Sequence, residues 1–80
     1  MLLGTYAIEK EIDRIRAFFP IGIKVKLFEM SGEPEMPSGL LGKVRFVDDI
    51  GQVHIQWENG SRLALHPYED VFTIIEEEEK

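Results

Sequence analysis

The chain reads as a mainly β domain (α+β) with one N-terminal α-helix. Two patterns predict this. Residues 23–76 contain short runs in which apolar and polar residues alternate, each bounded by glycine, proline or asparagine. Residues 5–19 instead repeat their apolar residues at helical spacing. The 80 residues suit one domain, 1–80, with no linker long enough to divide them and no internal repeat. A chain of this length buries only about 60% of its unfolded surface, so its stability is modest.

The helix is the first element. Ile8, Ile12, Ile15 and Phe19 form one apolar stripe, while Glu9, Lys10, Asp13, Arg14 and Arg16 occupy the other faces. Thr5 is the expected N-cap. Pro20 disfavours helical geometry at Phe19, and Gly22 follows, so the helix is expected to stop there. Such a helix is marginal alone, and its stripe predicts an apolar docking surface on the rest of the domain.

Strand 1 is expected at residues 23–30, where Val25 and Leu27 face one way and Lys24, Lys26 and Phe28 the other. Residues 31–41 hold two glycines, two prolines and two serines, and read as a loop. The next stretch, Gly42 to Pro67, contains three alternating runs separated by turns at Ile50-Gly51 and Asn59-Gly60. Strand 2 leaves an ambiguity. Val44 and Phe46 share one face of a straight strand, and a bulge is needed if Val44 and Val47 both point inward, so either Phe46 or Val47 is the core residue. For the second hairpin a two-residue Asn59-Gly60 turn would oppose Ile55 to Ala64. A three-residue loop Glu58-Asn59-Gly60 instead pairs Trp57 with Ser61, Ile55 with Leu63 and Val53 with Leu65, matching apolar to apolar. That loop is a type I turn closed by a left-handed glycine bulge at Gly60. This register sets Gln52, His54, Gln56, Arg62, Ala64 and His66 on the outer face. Residues 66–70 form a turn of 3₁₀ type, Val71 to Ile75 is strand 5, and 77–80 belong to an acidic, solvated tail.

Five short strands, a long first loop, two tight hairpins and a short turn before the last strand resemble an SH3-like small barrel over residues 23–76. The expected inner set is Val25, Leu27, Val44, Val53, Ile55, Trp57, Leu63, Leu65, Phe72 and Ile74. At about 1.5–3 kcal/mol each, such side chains make an adequate core for this length. The stretch DDIGQVHIQWENGSRLAL also closely resembles a small bacterial and phage family known as domain of unknown function 4314. The likeness rests on a P-x-G step (Pro20-Ile21-Gly22) and a D-D-x-G-x-x-x-x-x-W-x-N-G signature carried by Asp48, Asp49, Gly51, Trp57, Asn59 and Gly60. It implies a bacterial or mobile-element origin and no assigned activity.

Charge and composition restrict function. The net charge of −6 is uneven: residues 1–30 carry five cations and four anions, residues 31–80 four cations and eleven anions. An acidic chain is a poor default nucleic-acid binder. There is no cysteine, which fits a reducing cytosol, and no apolar run reaches the roughly 20 residues of a membrane span. Met1-Leu2-Leu3-Gly4 lacks the basic region of a secretory signal, so a cytoplasmic location is expected. Asp48 and Asp49 could act as an acid/base or cation pair, but at a hairpin end beside Gly51 they read as turn formers. His54 and His66 lack a clear third ligand, and no nucleophile, P-loop or zinc motif is present, so no metal, no cofactor and no enzymatic activity are expected. Trp57 alternates with Val53 and Ile55 and so reads as core rather than as a ligand-stacking aromatic.

Two candidate binding features remain. One is a basic-polar wall of Lys24, Lys26, Lys43, Arg45, His54, Gln56 and Arg62 on the outer strand faces. The other is a set of exposed aromatics, Phe28, Phe46 and Tyr68, which either line a peptide groove or, as the preferred reading, receive the helix. The expected function is a non-enzymatic small interaction module binding a protein partner. The alternatives are a nucleic-acid-associated barrel of the KOW or Tudor kind using the basic wall, and a mobile-element-encoded inhibitor of a host protein.

Overall fold

The computed structural model describes residues 2–75, with side chains from residue 9 onward. Ile8's side chain and the acidic tail, Glu76 to Lys80, therefore lie outside the described residues. One helix, α1 (Leu2–Phe18), precedes four strands: β1 (Lys24–Glu29), β2 (Leu41–Val47), β3 (Val53–Trp57) and β4 (Val71–Ile75). All pairings are antiparallel and the sheet order is β3-β2-β1-β4, so the last strand lies beside the first.

The helix begins three residues earlier than Thr5, which therefore lies within it and is not its N-cap. Leu2 and Leu3 are good helix formers and extend the first turn. At the other end Phe19 still donates its N–H to the Ile15 carbonyl at 3.0 Å before Pro20 stops the ladder. The Pro20-Ile21-Gly22 step then turns the chain into the sheet. Gly22 N–H bonds the Val44 carbonyl at 2.8 Å and Val44 N–H bonds the Ile23 carbonyl at 2.9 Å.

Strand 2 contains the bulge that inward Val44 and Val47 require. Val44 opposes Ile55, but Phe46 opposes His54 and Val47 opposes Val53, so Arg45 is the extra residue. Val47 is the core residue at 8% exposure, and Phe46 is the exposed hydrophobe at 42%. A second irregularity falls at Phe28 in β1, between Leu27 and Glu29.

The hairpin register follows the three-residue loop. Gly60 N–H bonds the Trp57 carbonyl at 3.0 Å, Val53 and Leu65 exchange both backbone bonds at 2.9 and 2.7 Å, and Gly60 has φ +88°. An L side chain there costs roughly 1–2 kcal/mol. Between those two points, however, the expected fourth of five strands is absent. It survives as the single Val53–Leu65 bridge, the sheet has four strands, and it does not close. Trp57 is the cause. Its ring is buried at 2% exposure, and a buried indole N–H needs an acceptor. It donates to the Leu63 carbonyl at 2.9 Å, while the Leu63 N–H bonds Ser61 Oγ at 3.2 Å. Both backbone groups of Leu63 are thereby withdrawn from the ladder, and its side chain, expected in the core, is 38% exposed.

The core forms between the sheet, the helix and the long loop. Val25, Leu27, Val44, Val53, Ile55, Trp57 and Leu65 are buried from the strands, as expected. Phe72 and Ile74 are only partly buried against them. Met30, Met36 and Leu40 contribute from residues 30–40, which behave less like a bare connection than like a lid of successive turns. Ile12 and Ile15 of the helix, and Phe19 just after it, are buried. Of the aromatics expected to receive the helix, Tyr68 borders a groove with Arg14, Ile15, Phe18 and Phe19. The helix lies against the Gly51 turn, where a Cβ would stand 3.2 Å from Ile15 Cδ1, and against Phe72, whose ring centroid is 5.6 Å from that of Phe19.

Candidate functional site

The alternation of β1 and β2 turns their lysines to one face of the sheet. Lys24 is the register partner of Lys43, which is in turn the partner of Gln56 on β3. Lys26 sits one row along, between Leu41 of β2 and Thr73 of β4. Lys24, Lys43 and Gln56 border an open cleft of about 580 Å³ with Gly42, Trp57, Glu58 and Gly60. Gly42 is buried in β2 beneath Trp57, and a Cβ on it would overlap Ile55 Cγ2 and lie 2.7 Å from Trp57 Cε3.

The proposed wall is thus divided. Lys24, Lys26, Lys43 and Gln56 form one continuous part. Arg45, displaced by the bulge, belongs with a second group: its guanidinium carbon lies 5.7 Å from the Phe46 ring centroid, and Phe46 stacks on the His54 imidazole with centroids 4.3 Å apart and planes within 8°. Arg62 is exposed in the detached segment after Gly60, where only its register position relates it to Gln56.

His54 is not a free outward base. Its Nε2 lies 2.8 Å from Asp48 Oδ2. An ionised carboxylate only accepts, so the proton of this bond sits on Nε2. The other oxygen, Oδ1, accepts the backbone N–H groups of Ile50 at 3.1 Å and Gln52 at 2.9 Å. Partial desolvation pushes the Asp48 carboxyl upward, but the bonds from His54, Gln52 and Ile50 outweigh it and hold the group below its usual range. Asp49 points away and pairs with Arg16 of the helix at 3.0 Å, and Arg16 also donates to the Asp48 carbonyl at 3.4 Å. The two adjacent acids therefore have separate tasks: Asp48 closes the turn and orients His54, and Asp49 meets the helix.

His66 lies across from Gln52, as the register requires, with 3.5 Å between Nε2 atoms. Among the described residues no three His, Asp or Glu side chains are grouped to hold a metal ion. Tyr68 is exposed and borders a groove of about 240 Å³ with Arg14, Ile15, Phe18, Phe19, Pro67 and Phe72. Phe28 is exposed beside the long loop, near Met30, Pro34 and Met36. The three aromatics are therefore far apart in role and do not form one groove.

Asp70 was not legible as important in the sequence, yet it is the buried charged residue among those described. Its Oδ1 accepts the Ser31 N–H at 2.9 Å and its Oδ2 the His66 N–H at 2.8 Å. One carboxylate thus ties the long loop to the turn before β4. The local half of this pattern, an acid four residues after the start of a turn, was visible; the partner Ser31 lies 39 positions away.

The family model described as Domain of unknown function (DUF4314) matches residues 8–75, and the chain belongs to that family. No curated protein and no solved structure matches it. No helix among the described residues is long and apolar enough to cross a membrane.

Proposed function

We propose that this DUF4314 member is a non-enzymatic interaction module with an SH3-like strand arrangement, which docks an acidic protein segment on the lysine-bearing face of its sheet. The carrying observation is the row formed by Lys24, Lys43 and Gln56 on three adjacent strands, with Lys26 beside it. Three lysines are concentrated there on a chain of net charge −6. Such an asymmetric field orients an approaching partner and accelerates encounter more than it adds affinity. The last strand lying next to the first, and the Val53–Leu65 bridge, support the SH3-like reading. A bacterial or phage-borne origin is inferred from the resemblance of the Asp48–Gly60 signature, and a cytoplasmic setting from that resemblance together with the absence of cysteine.

A nucleic-acid ligand is the second reading, because phosphates suit the same lysines. The test compares the wild-type chain with a Lys26→Glu, Lys43→Glu double variant, using a fluorescent polyglutamate peptide and mixed-sequence RNA and DNA at two salt concentrations. The proposal expects salt-sensitive peptide binding that the variant loses, with unchanged thermal stability. Tighter binding to the nucleic acids than to the peptide replaces it with the second reading. Equal peptide binding by both chains reduces the face to solvated surface.

A further inference from the structure

Two turns face α1 and enclose a groove with it. The turn at residues 48–52 meets the helix through Gly51, where a Cβ would stand 3.2 Å from Ile15 Cδ1 and 3.7 Å from Ile12 Cγ1. The turn at residues 66–70 carries Tyr68, which borders two open cavities beside the helix, each of about 240 Å³. The cavities share Ile15, Pro67 and Tyr68, so they form one continuous groove. Three of the four most exposed large hydrophobics among the described residues border it: Ile50 at 74%, Tyr68 at 72% and Phe18 at 67%. Exposed apolar residues scattered singly need no explanation, but a cluster around a concave surface marks a binding site.

The two halves of the groove differ in charge. The first lies between Ile50 and Tyr68 beside Ile12 and Ile15, and is lined by Glu11 and Glu69 but by no lysine or arginine. The second is bordered by Phe18, Phe72 and Tyr68, and its one charged residue is Arg14. Arg14 and Glu11 pair at 3.4 Å, which leaves Glu69, among the described residues, without a cation partner. An apolar slot ending in carboxylates fits a side chain with a long aliphatic stem and a cationic head. We propose that this groove binds an extended segment of a partner protein that carries a lysine or arginine and, two residues away, a large apolar residue. The cationic side chain lays its stem over Ile15 and Ile50, passes the Tyr68 ring and places its head at Glu69 and Glu11. The apolar side chain enters the second half against Phe18 and Phe72. The spacing follows from the helix. Its residues in the two halves, Glu11, Ile12 and Ile15 against Arg14, Ile15, Phe18 and Phe19, are displaced by about one turn, or about 5–6 Å. Residues i and i+2 of an extended chain stand about 6.6 Å apart on one side. The acidic segment that suits the lysine-bearing face is repelled at Glu69, so the two proposals fail independently.

The test titrates the isotope-labelled chain with the acetylated, amidated peptide GLSKG and follows backbone amides by NMR. His66 also lines the first half, so the titration is run at about pH 8, above the usual titration of imidazole. Expected are saturable shifts concentrated at residues 11–19, 50–52 and 66–69. Replacing the peptide's lysine by norleucine keeps the stem and removes the charge, and should weaken binding about five- to tenfold. Glu69→Lys should weaken binding of the lysine peptide at least as much, and should bind GLSEG more tightly than the wild type does. Tyr68→Ala should also weaken binding, while Lys43→Glu, on the sheet face, should leave it unchanged. Tyr68 and Glu69 are exposed, so their variants should melt with the wild type. Equal binding of the lysine and norleucine peptides overturns the proposal. So do the absence of saturable shifts, a shift map that avoids the groove, or concentration-dependent shifts of the free chain at these amides, which give the groove to a second copy.

Discussion

Adding one methyl group at Gly42 should destabilise the protein although the backbone there is ordinary strand. The new Cβ would overlap Ile55 Cγ2 and stand 2.7 Å from Trp57 Cε3. Both obstacles are anchored in place. Trp57 and Ile55 are almost wholly buried, and the indole is further held by its bond to the Leu63 carbonyl. Overpacking of this kind costs about 1–3 kcal/mol. Replacing glycine by alanine also restricts the unfolded chain, which returns about 0.4–1 kcal/mol. The net expectation for Gly42→Ala is therefore a loss of about 1–2 kcal/mol, or a melting point lower by about 4–15 °C for a domain of this size. The single tryptophan is a direct reporter, since it moves from a buried site to water on unfolding. Thermal and urea melts followed by its fluorescence should show an earlier midpoint with an unchanged urea slope. A midpoint equal to or above that of the wild type would refute the argument that close approach of Trp57 demands glycine at this position.

Other outcomes follow from the same contacts. At Gly60 a Cβ meets nothing within 4 Å, so Gly60→Ala should cost only the roughly 1–2 kcal/mol of left-handed backbone strain, and Gly60→Val more, both readable as lowered urea midpoints. Leu65→Ala should cost about 2–5 kcal/mol while Leu63→Ala, on a third-exposed side chain whose backbone makes the contact, should cost well under half of that; equal losses would contradict the detached fourth strand. Asp48 is held below the usual carboxylate range, so its contribution is present above about pH 3.9 and is lost as pH falls through its lower folded value. The stability gap between the wild type and Asp48→Asn, measured by urea titration, should accordingly be full at pH 7 and shrink as pH falls below about 3.9.

Much of the candidate site was legible because it depends on alternation. Lys24, Lys26 and Lys43 face outward once Val25, Leu27 and Val44 face inward, and the β1–β2 pairing then aligns them. What the alternation could not show was the division of the wall. Arg45 leaves the lysine row because the strand carries an extra residue there, and the choice between Phe46 and Val47 depends on which of them meets Val53 across the sheet. His54 was read as an outward group, which it is, but its bond to Asp48 and its stack on Phe46 join residues whose geometry is set by that same bulge. Asp70 escaped notice because half of its hydrogen bonding reaches a loop distant in sequence.

The sequence by itself determined the helix stripe, the strand alternation, the glycine-closed hairpin and the family, since each is a local pattern of period or turn chemistry. Tertiary structure alone decided whether the sheet closes. A buried indole needed an acceptor and found the carbonyl of Leu63, which the alternation had assigned to a fourth inner strand. That bond, with the Leu63 N–H given to Ser61 Oγ, took Leu63 out of the ladder and left Val53–Leu65 as a single bridge. A hydrogen-bond requirement of this kind follows from burial, and burial is known only after the elements have packed.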